Sequence, residues 1–377
     1  MDQIIFEDKD NLNKISILLR QKNIERVFVV SGKKSYDNSS AREIIQPILT
    51  GFSVFRFYNF EENPKVEDVI RGVNFFNENN CQIIVAIGGG SVIDMAKLIK
   101  AYHDNFIDIK SKISNSRVGE CSKELIAIPT TAGSGSEATQ FAVVYINKIK
   151  YSVSNVNLLP NIVHLVPELT YSTSPYLTAI TGLDAFSQAI ESWWSVNSTE
   201  ESIAYSKEAV KIIYENLGSA IENNRGAKRL VQQASYLAGK AINIAKTTAP
   251  HALSYGFSTY CNLPHGHAVS IFLPNFVELH TKININNCND SRGVEYVNDV
   301  MNSIAALMGT AIEFLADKIY MFINDCGISI NYKELSITRQ RFEKSISNIN
   351  QEGLKNNPVI INSEFISELY FSKLNNK

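Results

Sequence analysis

Short apolar segments alternate with helical segments through the first half of the chain. The strand-like segments are RVFVVS (26–31), CQIIVAI (81–87), ELIAIP (124–129) and IVHLV (162–166). Helical periodicity fills much of the sequence between them, for example over 63–80 and 91–102. Strands that alternate with helices in this way predict an α/β domain, a parallel sheet with helices on both faces. A hairpin, QFAVVYI then KYSVS with its turn at Asn147 and Lys148, is expected before the last strand.

The pattern changes at about residue 174. Beyond it helical periodicity dominates, over 176–193, 199–221, 226–246, 250–260 and 266–280. Because 377 residues exceed one ordinary core, two domains are expected. We place an α/β domain at 1–173 and an all-helical domain at 174–377. A ligand is expected in the crevice between them, at the carboxyl ends of the strands.

Charge and composition exclude several partners. The net charge is −2 and no basic block stands out, so nucleic acid and anionic membrane are not expected to bind. No apolar run is long enough to span a bilayer. Five scattered cysteines without a CxxC pair are typical of reduced thiols, and the start MDQIIFEDKDN lacks the apolar core of a signal peptide. We therefore expect a cytoplasmic protein that binds a small molecule.

Three consecutive glycines separate a strand from a helix in VAIGGGSVIDMAK (85–97). Glycines let the backbone approach a ligand closely, and the start of a helix attracts anions. Ser91 is expected to cap this helix, with Asp94 completing a capping box. The alternative is a tight strand-to-helix turn with no ligand. The residues expected to contact a cofactor are Gly88, Gly89, Gly90, Ser91 and Asp94.

A second loop, PTTAGSGSEAT (129–139), also follows a predicted strand. It offers hydroxyl donors without bulk, in place of the usual GxGxxG pattern of dinucleotide-binding proteins. Two such loops after neighbouring strands predict one cradle for a pyrophosphate. The residues of this loop expected at the cofactor are Thr130, Thr131, Ser134 and Ser136.

Three of the six histidines cluster within 249–269, and they are His251, His265 and His267. Histidine is the commonest metal ligand, although a His-rich surface loop is the alternative. In GLDAFSQAIES (182–192), Asp184 and Gln188 lie one turn apart on one helix face. This pair is half of a metal site with an unusual second residue, or a polar stripe on a helix.

Six segments together resemble the iron-containing (group III) alcohol dehydrogenase family. In order, they are ENPKVEDV, AIGGGSVIDMAK, IPTTAGSGSEAT, LLPNIVHLVPELT, TGLDAFSQAIES and LPHGHAV. The resemblance covers residues 20–280. It implies the dehydroquinate synthase-like fold of that family, with a nucleotide-binding α/β domain and a helical metal-binding domain. It also implies hydride transfer between NAD(P) and an alcohol or aldehyde.

The resemblance implies a divalent metal, Fe²⁺ or Zn²⁺, held by one Asp and three His. Asp184 matches the Asp of the family, and His251 and His265 match two of the histidines. Gln188 stands where the family has the remaining His. An amide oxygen is a neutral donor and a poorer ligand than imidazole for iron or zinc, so weaker metal binding is expected.

Tyr255 stands where the family has a further His, one turn after the third ligand. Tyr255 or His267 is expected to relay the proton that the reduced carbonyl oxygen needs. The alternative to a metal is that Gln188 and the histidines polarise the carbonyl by hydrogen bonding alone.

Segments around these residues resemble the phosphonoacetaldehyde reductase branch, which carries Gln at the same place. They are TTAGSGSEATQFAVVY, GLDAFSQAIESWWSVNSTEES and KTTAPHALSYGFS. The resemblance implies reduction of phosphonoacetaldehyde to 2-hydroxyethylphosphonate in phosphonate biosynthesis. Lys246 and Thr247 are expected to bind this anionic aldehyde, although Lys246 could simply complement a helix dipole. A primary-alcohol or diol dehydrogenase, a sugar-acid 8-oxidase of the family and a non-catalytic nucleotide-binding relative stay open.

The first predicted strand bears on the choice of cofactor. Many family members carry an Asp after it that holds the ribose 2′-hydroxyl, whereas Gly32 and then Lys33 follow Ser31 here. Without the carboxylate, and with a cation nearby, a 2′-phosphate is favoured. We therefore expect NADPH, with NADH as the alternative, and a contact from Ser31 to the ribose. A homo-oligomer such as a dimer is also expected.

Overall fold

The computed structural model describes residues 3–38, 40–104, 107–147, 149–347, 349 and 351–374. The chain divides into two compact units, Met1–Thr173 and Ser174–Lys377. The strands are β1 (Ile4–Glu7), β2 (Arg26–Ser31), β3 (Ser53–Phe57), β4 (Ile83–Gly88), β5 (Glu124–Pro129), β6 (Phe141–Ile146), β7 (Ile149–Ser154) and β8 (Ile162–Leu165).

Helices follow the strands in the first unit and fill the second. In the first unit they are α1 (Asn13–Gln21), α2 (Lys33–Asn38), α3 (Ala41–Ile45), α4 (Val66–Glu78), α5 (Gly90–Tyr102) and α6 (Ile109–Ser114). In the second they are α7 (Pro175–Trp194), α8 (Glu200–Ile221), α9 (Arg225–Ala245), α10 (Ala249–Tyr260), α11 (His265–Thr281), α12 (Val294–Leu307), α13 (Leu315–Asp325), α14 (Arg339–Ile346), α15 (Gln351–Lys355) and α16 (Ser363–Leu374).

The first unit is built on a parallel sheet with strand order β1-β8-β5-β4-β2-β3. Strands β4 and β5 are neighbours, and their register ends with Gly88 opposite Pro129. The two glycine- and hydroxyl-rich loops therefore leave adjacent strands at the same level of the sheet. Strands β6 and β7 form the expected antiparallel hairpin, and Lys148 of its predicted turn lies outside the described residues.

Both faces of this sheet are covered. Ile84 and Ala86 of β4 pack into a core cluster with residues of α4 and α5. Ile83, Val85 and Ile87 point to the other face and pack with residues of α1 and α3. Alternate side chains of one strand thus enter two cores, as expected of a parallel sheet in an α/β protein. The predicted fold class is confirmed.

Helix α7 is the central element of the second unit. It packs against α8, α9 and α11, and residues on nearly every side of it are buried. Ser174 caps its start by accepting a hydrogen bond from the Leu177 N–H, and Pro175 follows at the first position. Among the described residues, no helix combines the length and hydropathy needed to cross a membrane.

Candidate functional site

Three polar side chains lie on one face of α7, at spacings of four and three residues. Asp184, Gln188 and Glu191 are 7%, 4% and 0% exposed. Carboxylates are costly to bury unless they are paired, hydrogen bonded or bound to a metal. The polar face of α7 therefore needs partners from neighbouring helices.

Two histidines from other helices meet Asp184. His251 lies in the first turn of α10, with its Nε2 3.3 Å from Asp184 Oδ1. His265 begins α11, with its Nε2 3.9 Å from the same oxygen. The ligand atoms of the three residues lie within 4.8 Å of one another. The structure thus brings together three of the four residues expected to hold the metal.

The donor set fits a metal ion. Asp184 Oδ1 and His251 Nε2 are buried, and neither has a hydrogen-bond partner among the described residues. Buried polar atoms are nearly always hydrogen bonded, so a carboxylate oxygen and a ring nitrogen that face each other in this way fit a cation-binding site. Gln188, one turn along α7 from Asp184, offers a neutral amide on the same face. A carboxylate with two imidazoles matches the donors that both iron and zinc accept.

Glu191 organises this group, and the sequence analysis missed it. Its Oε1 accepts a hydrogen bond from His251 Nδ1, and its Oε2 accepts bonds from Thr248 N at 2.8 Å and Thr248 Oγ1 at 2.9 Å. The proton of His251 is thereby held on Nδ1, which leaves Nε2 directed at Asp184. The spacing of Glu191, seven residues after Asp184 on one face, was the available signal.

The electrostatic environment of His251 is strongly negative without a metal. Burial disfavours the charged ring, but the charge of Glu191, reinforced by Asp184, outweighs burial and raises the pKa of His251 to about 9. A metal ligand must be a neutral imidazole, so metal binding at Nε2 must displace the second proton of the charged ring and leave the one on Nδ1.

Gly266 accounts for the position of His265. A Cβ at Gly266 would lie 2.0 Å from the carbonyl oxygen of Ile180 in α7. Only glycine lets the start of α11 come this close to the backbone of α7. The Tyr255 ring stacks on that of His265, with centroids 5.4 Å apart and planes 3° apart. The structure therefore places Tyr255 next to His265 and so beside the group of Asp184, His251 and His265.

His267 lies apart from this group and has its own partners. Its Nδ1 accepts a hydrogen bond from Tyr176 Oη at 3.0 Å, and its Nε2 donates one to the Ser329 carbonyl at 2.7 Å. Burial lowers the pKa of His267, in keeping with a neutral ring. This geometry favours a structural role that ties α7 and α11 to the segment around Ser329.

The segment Lys246–Thr248 leads from α9 to His251 in the first turn of α10. Lys246 follows the last turn of α9 with a positive φ of 65°, and burial lowers the pKa of its ammonium group. The Thr247 carbonyl accepts a hydrogen bond from Asn356 Nδ2 at 3.1 Å. Because Thr248 is bonded to Glu191, this segment is fixed next to the helix that carries Asp184.

The predicted capping box after the glycines is wrong. Helix α5 begins at Gly90 with Gly89 as its N-cap, so Ser91 already lies within the first turn. Ser91 Oγ accepts a hydrogen bond from Asn63 N at 3.2 Å instead. The Asp94 carboxylate accepts bonds from Ser136 Oγ and, at 2.9 Å, from Val143 N. Asp94 thus supports the second loop rather than the start of its own helix.

The two loops are in direct contact. A Cβ at Gly89 would lie 3.1 Å from Thr131 Oγ1, and one at Gly90 would lie 2.9 Å from Ser134 Oγ. The Thr130 N–H donates a hydrogen bond to the Gly88 carbonyl at 3.1 Å. The N–H groups at the start of α5 and the hydroxyls of the second loop therefore share one place, as a single anion site requires.

An arginine that the sequence analysis missed lies at the end of β2. Arg56 Nε donates a hydrogen bond to the buried Ser31 Oγ at 2.7 Å, and its Nη2 donates one to the Gly32 carbonyl at 3.0 Å. Lys33 follows as the exposed first residue of α2. Arg56, which lies on β3, therefore links Ser31, the residue expected at the ribose, to Gly32.

Comparison with known protein families identifies the family to which this chain belongs. Residues 2–167 match the family described as iron-containing alcohol dehydrogenase. Residues 178–374 match the C-terminal region of the Fe-containing alcohol dehydrogenase family. The chain belongs to the iron-containing alcohol dehydrogenase family. Membership of this family confirms the predicted oxidoreductase class.

Two similar proteins have names that state a substrate. The phosphonoacetaldehyde reductase of Streptomyces viridochromogenes is 31% identical over 258 residues, which are 66% of this chain and 65% of the relative. The NADPH-dependent butanol dehydrogenase of Clostridium saccharobutylicum is 27% identical over 335 residues, 85% of this chain and 84% of the relative. The match thus spans just under two thirds of the first relative and most of the second.

Solved structures of the family share the whole fold. The sulfoacetaldehyde reductase of Bifidobacterium kashiwanohense, in complex with NAD⁺, has a TM-score of 0.90 at 25% identity, covering 100% of this chain and 98% of that one. The iron-containing alcohol dehydrogenase of Thermotoga maritima has a TM-score of 0.79 at 30% identity, covering 99% and 98%.

Proposed function

We propose that this chain uses NADPH and a divalent metal to reduce phosphonoacetaldehyde to 2-hydroxyethylphosphonate, within phosphonate biosynthesis. The observation that carries the proposal is the convergence of buried Asp184 and His251 with the half-buried His265, with Gln188 one turn from Asp184. Two similar proteins, a phosphonoacetaldehyde reductase and a sulfoacetaldehyde reductase, have names that specify small aldehydes with an anionic group. They support an anionic aldehyde as the substrate class.

The reaction transfers one hydride and one proton. The hydride leaves C4 of the nicotinamide for the carbonyl carbon, the oxygen gains a proton, and NADPH becomes NADP⁺ as the aldehyde becomes a primary alcohol. Asp184, His251 and His265 would hold the metal, Fe²⁺ or Zn²⁺, with Gln188 as a further weak donor. When bound, such a metal supplies Lewis-acid polarisation of the carbonyl.

The protein's own groups orient the ligands and supply the proton. Glu191 keeps the proton of His251 on Nδ1, so that Nε2 stays available. Tyr255, stacked on His265, is the proposed proton donor to the alcohol oxygen. Its position next to the ligand group supports this role, whereas the hydrogen bonds of His267 to Tyr176 and Ser329 favour a structural role for that residue.

A spectrophotometric assay of NADPH oxidation tests the proposal. The purified protein would be assayed with phosphonoacetaldehyde, sulfoacetaldehyde and butanal. We expect the highest kcat/KM with phosphonoacetaldehyde. A higher value with butanal would favour a primary-alcohol dehydrogenase, an alternative that the similarity to the butanol dehydrogenase makes specific. Absence of activity with every aldehyde would favour a non-catalytic relative.

Lys246 and Thr247 are the proposed phosphonate-binding residues. Lys246→Ala should raise the KM for phosphonoacetaldehyde by about tenfold or more, because a charge-assisted hydrogen bond is lost, and should leave the KM for butanal unchanged. Lys240→Ala removes a charge from the same helix, where Lys240 Nζ contacts Tyr205 Oη, and is the matched control. Equal effects of Lys246→Ala on both aldehydes would reject the role.

The expected homo-oligomer stays a prediction. Light scattering coupled to size-exclusion chromatography would measure the mass of the particle in solution.

A further inference from the structure

The guanidinium of Arg56 is held in one orientation at the carboxyl end of β2. Its Nε and Nη2 donate to Ser31 Oγ and the Gly32 carbonyl. Its Cζ lies 4.2 Å from the ring centroid of Tyr36 and 4.8 Å from that of Tyr58. Two aromatic rings and two hydrogen bonds fix the plane of the group, so little conformational entropy is lost when it binds an anion.

Arg56 keeps donor capacity for a ligand. A guanidinium has five N–H donors, and three are engaged here, by Ser31, Gly32 and, at 3.2 Å, Asp37 Oδ1. Within the described part of the chain, one N–H therefore remains on each terminal nitrogen. Two such donors match the forked geometry with which arginine binds phosphate oxygens.

The register of the sheet places Arg56 near the carboxyl end of the strand pair that lies beside the glycine-loop strand. Strand β4 runs directly into the glycines, its neighbour β2 ends at Ser31 opposite Ile87, and β3 lies beyond β2 with Arg56 opposite Val29. The backbone of Arg56 is two strands from β4 and level with Val85, three residues before Gly88. Its side chain extends toward the carboxyl end of β2 to meet Ser31 and Gly32. In α/β nucleotide-binding domains, the adenosine ribose lies over the strand next to the phosphate loop.

The local charge favours an anion. Arg56 and the exposed Lys33 are cationic, and Asp37 is the carboxylate that contacts Arg56. The ion pair to Arg56 engages that carboxylate, and the exposed Lys33 leaves a net positive charge. A 2′-phosphate gains from this charge, whereas a neutral 2′-hydroxyl does not.

We propose that Arg56 binds the 2′-phosphate of NADPH and sets the cofactor preference, with Tyr36 and Tyr58 holding its plane. The inference deepens the proposed function and rests on it only in that the chain binds a dinucleotide. Lys33, expected from the sequence to favour the same phosphate, contributes charge from the exposed start of α2.

Calorimetric titration of 2′,5′-ADP and 5′-AMP tests the inference, because these nucleotides differ only in the 2′-phosphate. We expect the protein to bind 2′,5′-ADP at least about tenfold more tightly. Arg56→Met and Arg56→Lys should each reduce the affinity for 2′,5′-ADP by about tenfold to one-hundredfold and change that for 5′-AMP by less than about twofold. Arg56→Lys retains the charge and therefore tests only the paired N–H donors of the guanidinium.

Arg26→Met is the matched control. Arg26 also lies in the sheet and contacts an aromatic ring, Phe55 at 5.0 Å, but it is at the amino end of β2. Arg26→Met should change neither the affinity for 2′,5′-ADP nor the affinity for 5′-AMP. Thermal unfolding of each variant checks folding, and if Arg56→Met unfolds, Arg56→Lys decides.

Equal affinity of the unmodified protein for the two nucleotides would overturn the inference, as would equal losses of both in the Arg56 variants. The titration contains no aldehyde, so it separates this inference from the proposed function. A chain that reduces phosphonoacetaldehyde equally well with NADH would overturn the inference and leave the proposed function standing. A chain that binds 2′,5′-ADP through Arg56 but reduces no aldehyde would support the inference and contradict the proposed function.

Discussion

Glu191 shows how a single buried carboxylate can orient the group of Asp184, His251 and His265 from behind. It is fully buried and accepts hydrogen bonds from Thr248 and from His251 Nδ1. It therefore anchors Thr248 at the start of α10 and also fixes the ring of His251. Carboxylates behind a metal-bound histidine raise its basicity and orient the ring.

Glu191→Gln should lower the affinity of the protein for Zn²⁺ by about tenfold to one-hundredfold, because the amide carries no charge and orients His251 less firmly. Competition with a fluorescent zinc chelator would measure the change. Ser192→Ala, on the same helix and bonded to Ser206 at 2.8 Å, is the matched control and should leave affinity unchanged. Equal effects of both substitutions would assign Glu191 a merely structural role.

Zn²⁺ affinity should also depend on pH. The pKa of His251 is raised to about 9 in the metal-free protein, so below that pH the metal competes with a proton. Apparent affinity should then fall by about tenfold for each pH unit below that pKa. Glu191→Gln should shift the onset of the fall to lower pH. An affinity that does not change across this range would contradict the described environment of His251.

The residue-scale site was only partly predictable from sequence. Asp184, His251 and His265 were found from their residue types and from the family resemblance, and the structure brings them together. Glu191 was missed although it shares their helix face. Arg56 was missed for a different reason, since only the register of β3 on β2 brings it to Gly32.

Elements were predicted best where periodicity was strong. The apolar segments at β2, β4, β5 and β8 were recognised because buried parallel strands read as short apolar runs. Strand β1 was missed because it has four residues at the sheet edge, with Ile4 48% exposed. Helix α1 was missed because Leu12 precedes it and no side chain caps its start, so the usual boundary signal is absent.

The close approach of α11 to α7 is an element-scale requirement of the site. In Gly266→Ala the new methyl would meet the Ile180 carbonyl at 2.0 Å, so α11 must move and carry His265 away from Asp184. We expect a loss of about 1–3 kcal/mol in the free energy of unfolding, together with weaker Zn²⁺ binding. Chemical denaturation and the zinc competition assay would measure the two effects.

Gly218→Ala in α8 is the control for that substitution. A Cβ there would have no neighbour within 4 Å. Alanine should therefore raise the free energy of unfolding by about 0.5–1 kcal/mol, through its better helix propensity, and leave Zn²⁺ binding unchanged. If Gly266→Ala behaved in the same way, the approach of α11 to α7 would not determine the position of His265.

At the scale of the whole molecule, the chain assigns two tasks to two units. The parallel sheet of the first brings two loops and Arg56 to the carboxyl ends of neighbouring strands. The helices of the second bring Asp184, His251 and His265 together. The fold class was predictable because strand and helix periodicities occupy different halves of the sequence. The convergence of three helices on Asp184 was not, because it depends on tertiary packing.

The central claim is that aldehyde reduction by this chain depends on a metal held by Asp184, His251 and His265. The most direct measurement is NADPH oxidation with phosphonoacetaldehyde before chelation, after exhaustive removal of metal, and after addition of Fe²⁺ or Zn²⁺. We predict that activity is lost on chelation and restored by one of the two ions, while 2′,5′-ADP still binds to the metal-free protein. Unchanged activity in rigorously metal-free protein would contradict the claim.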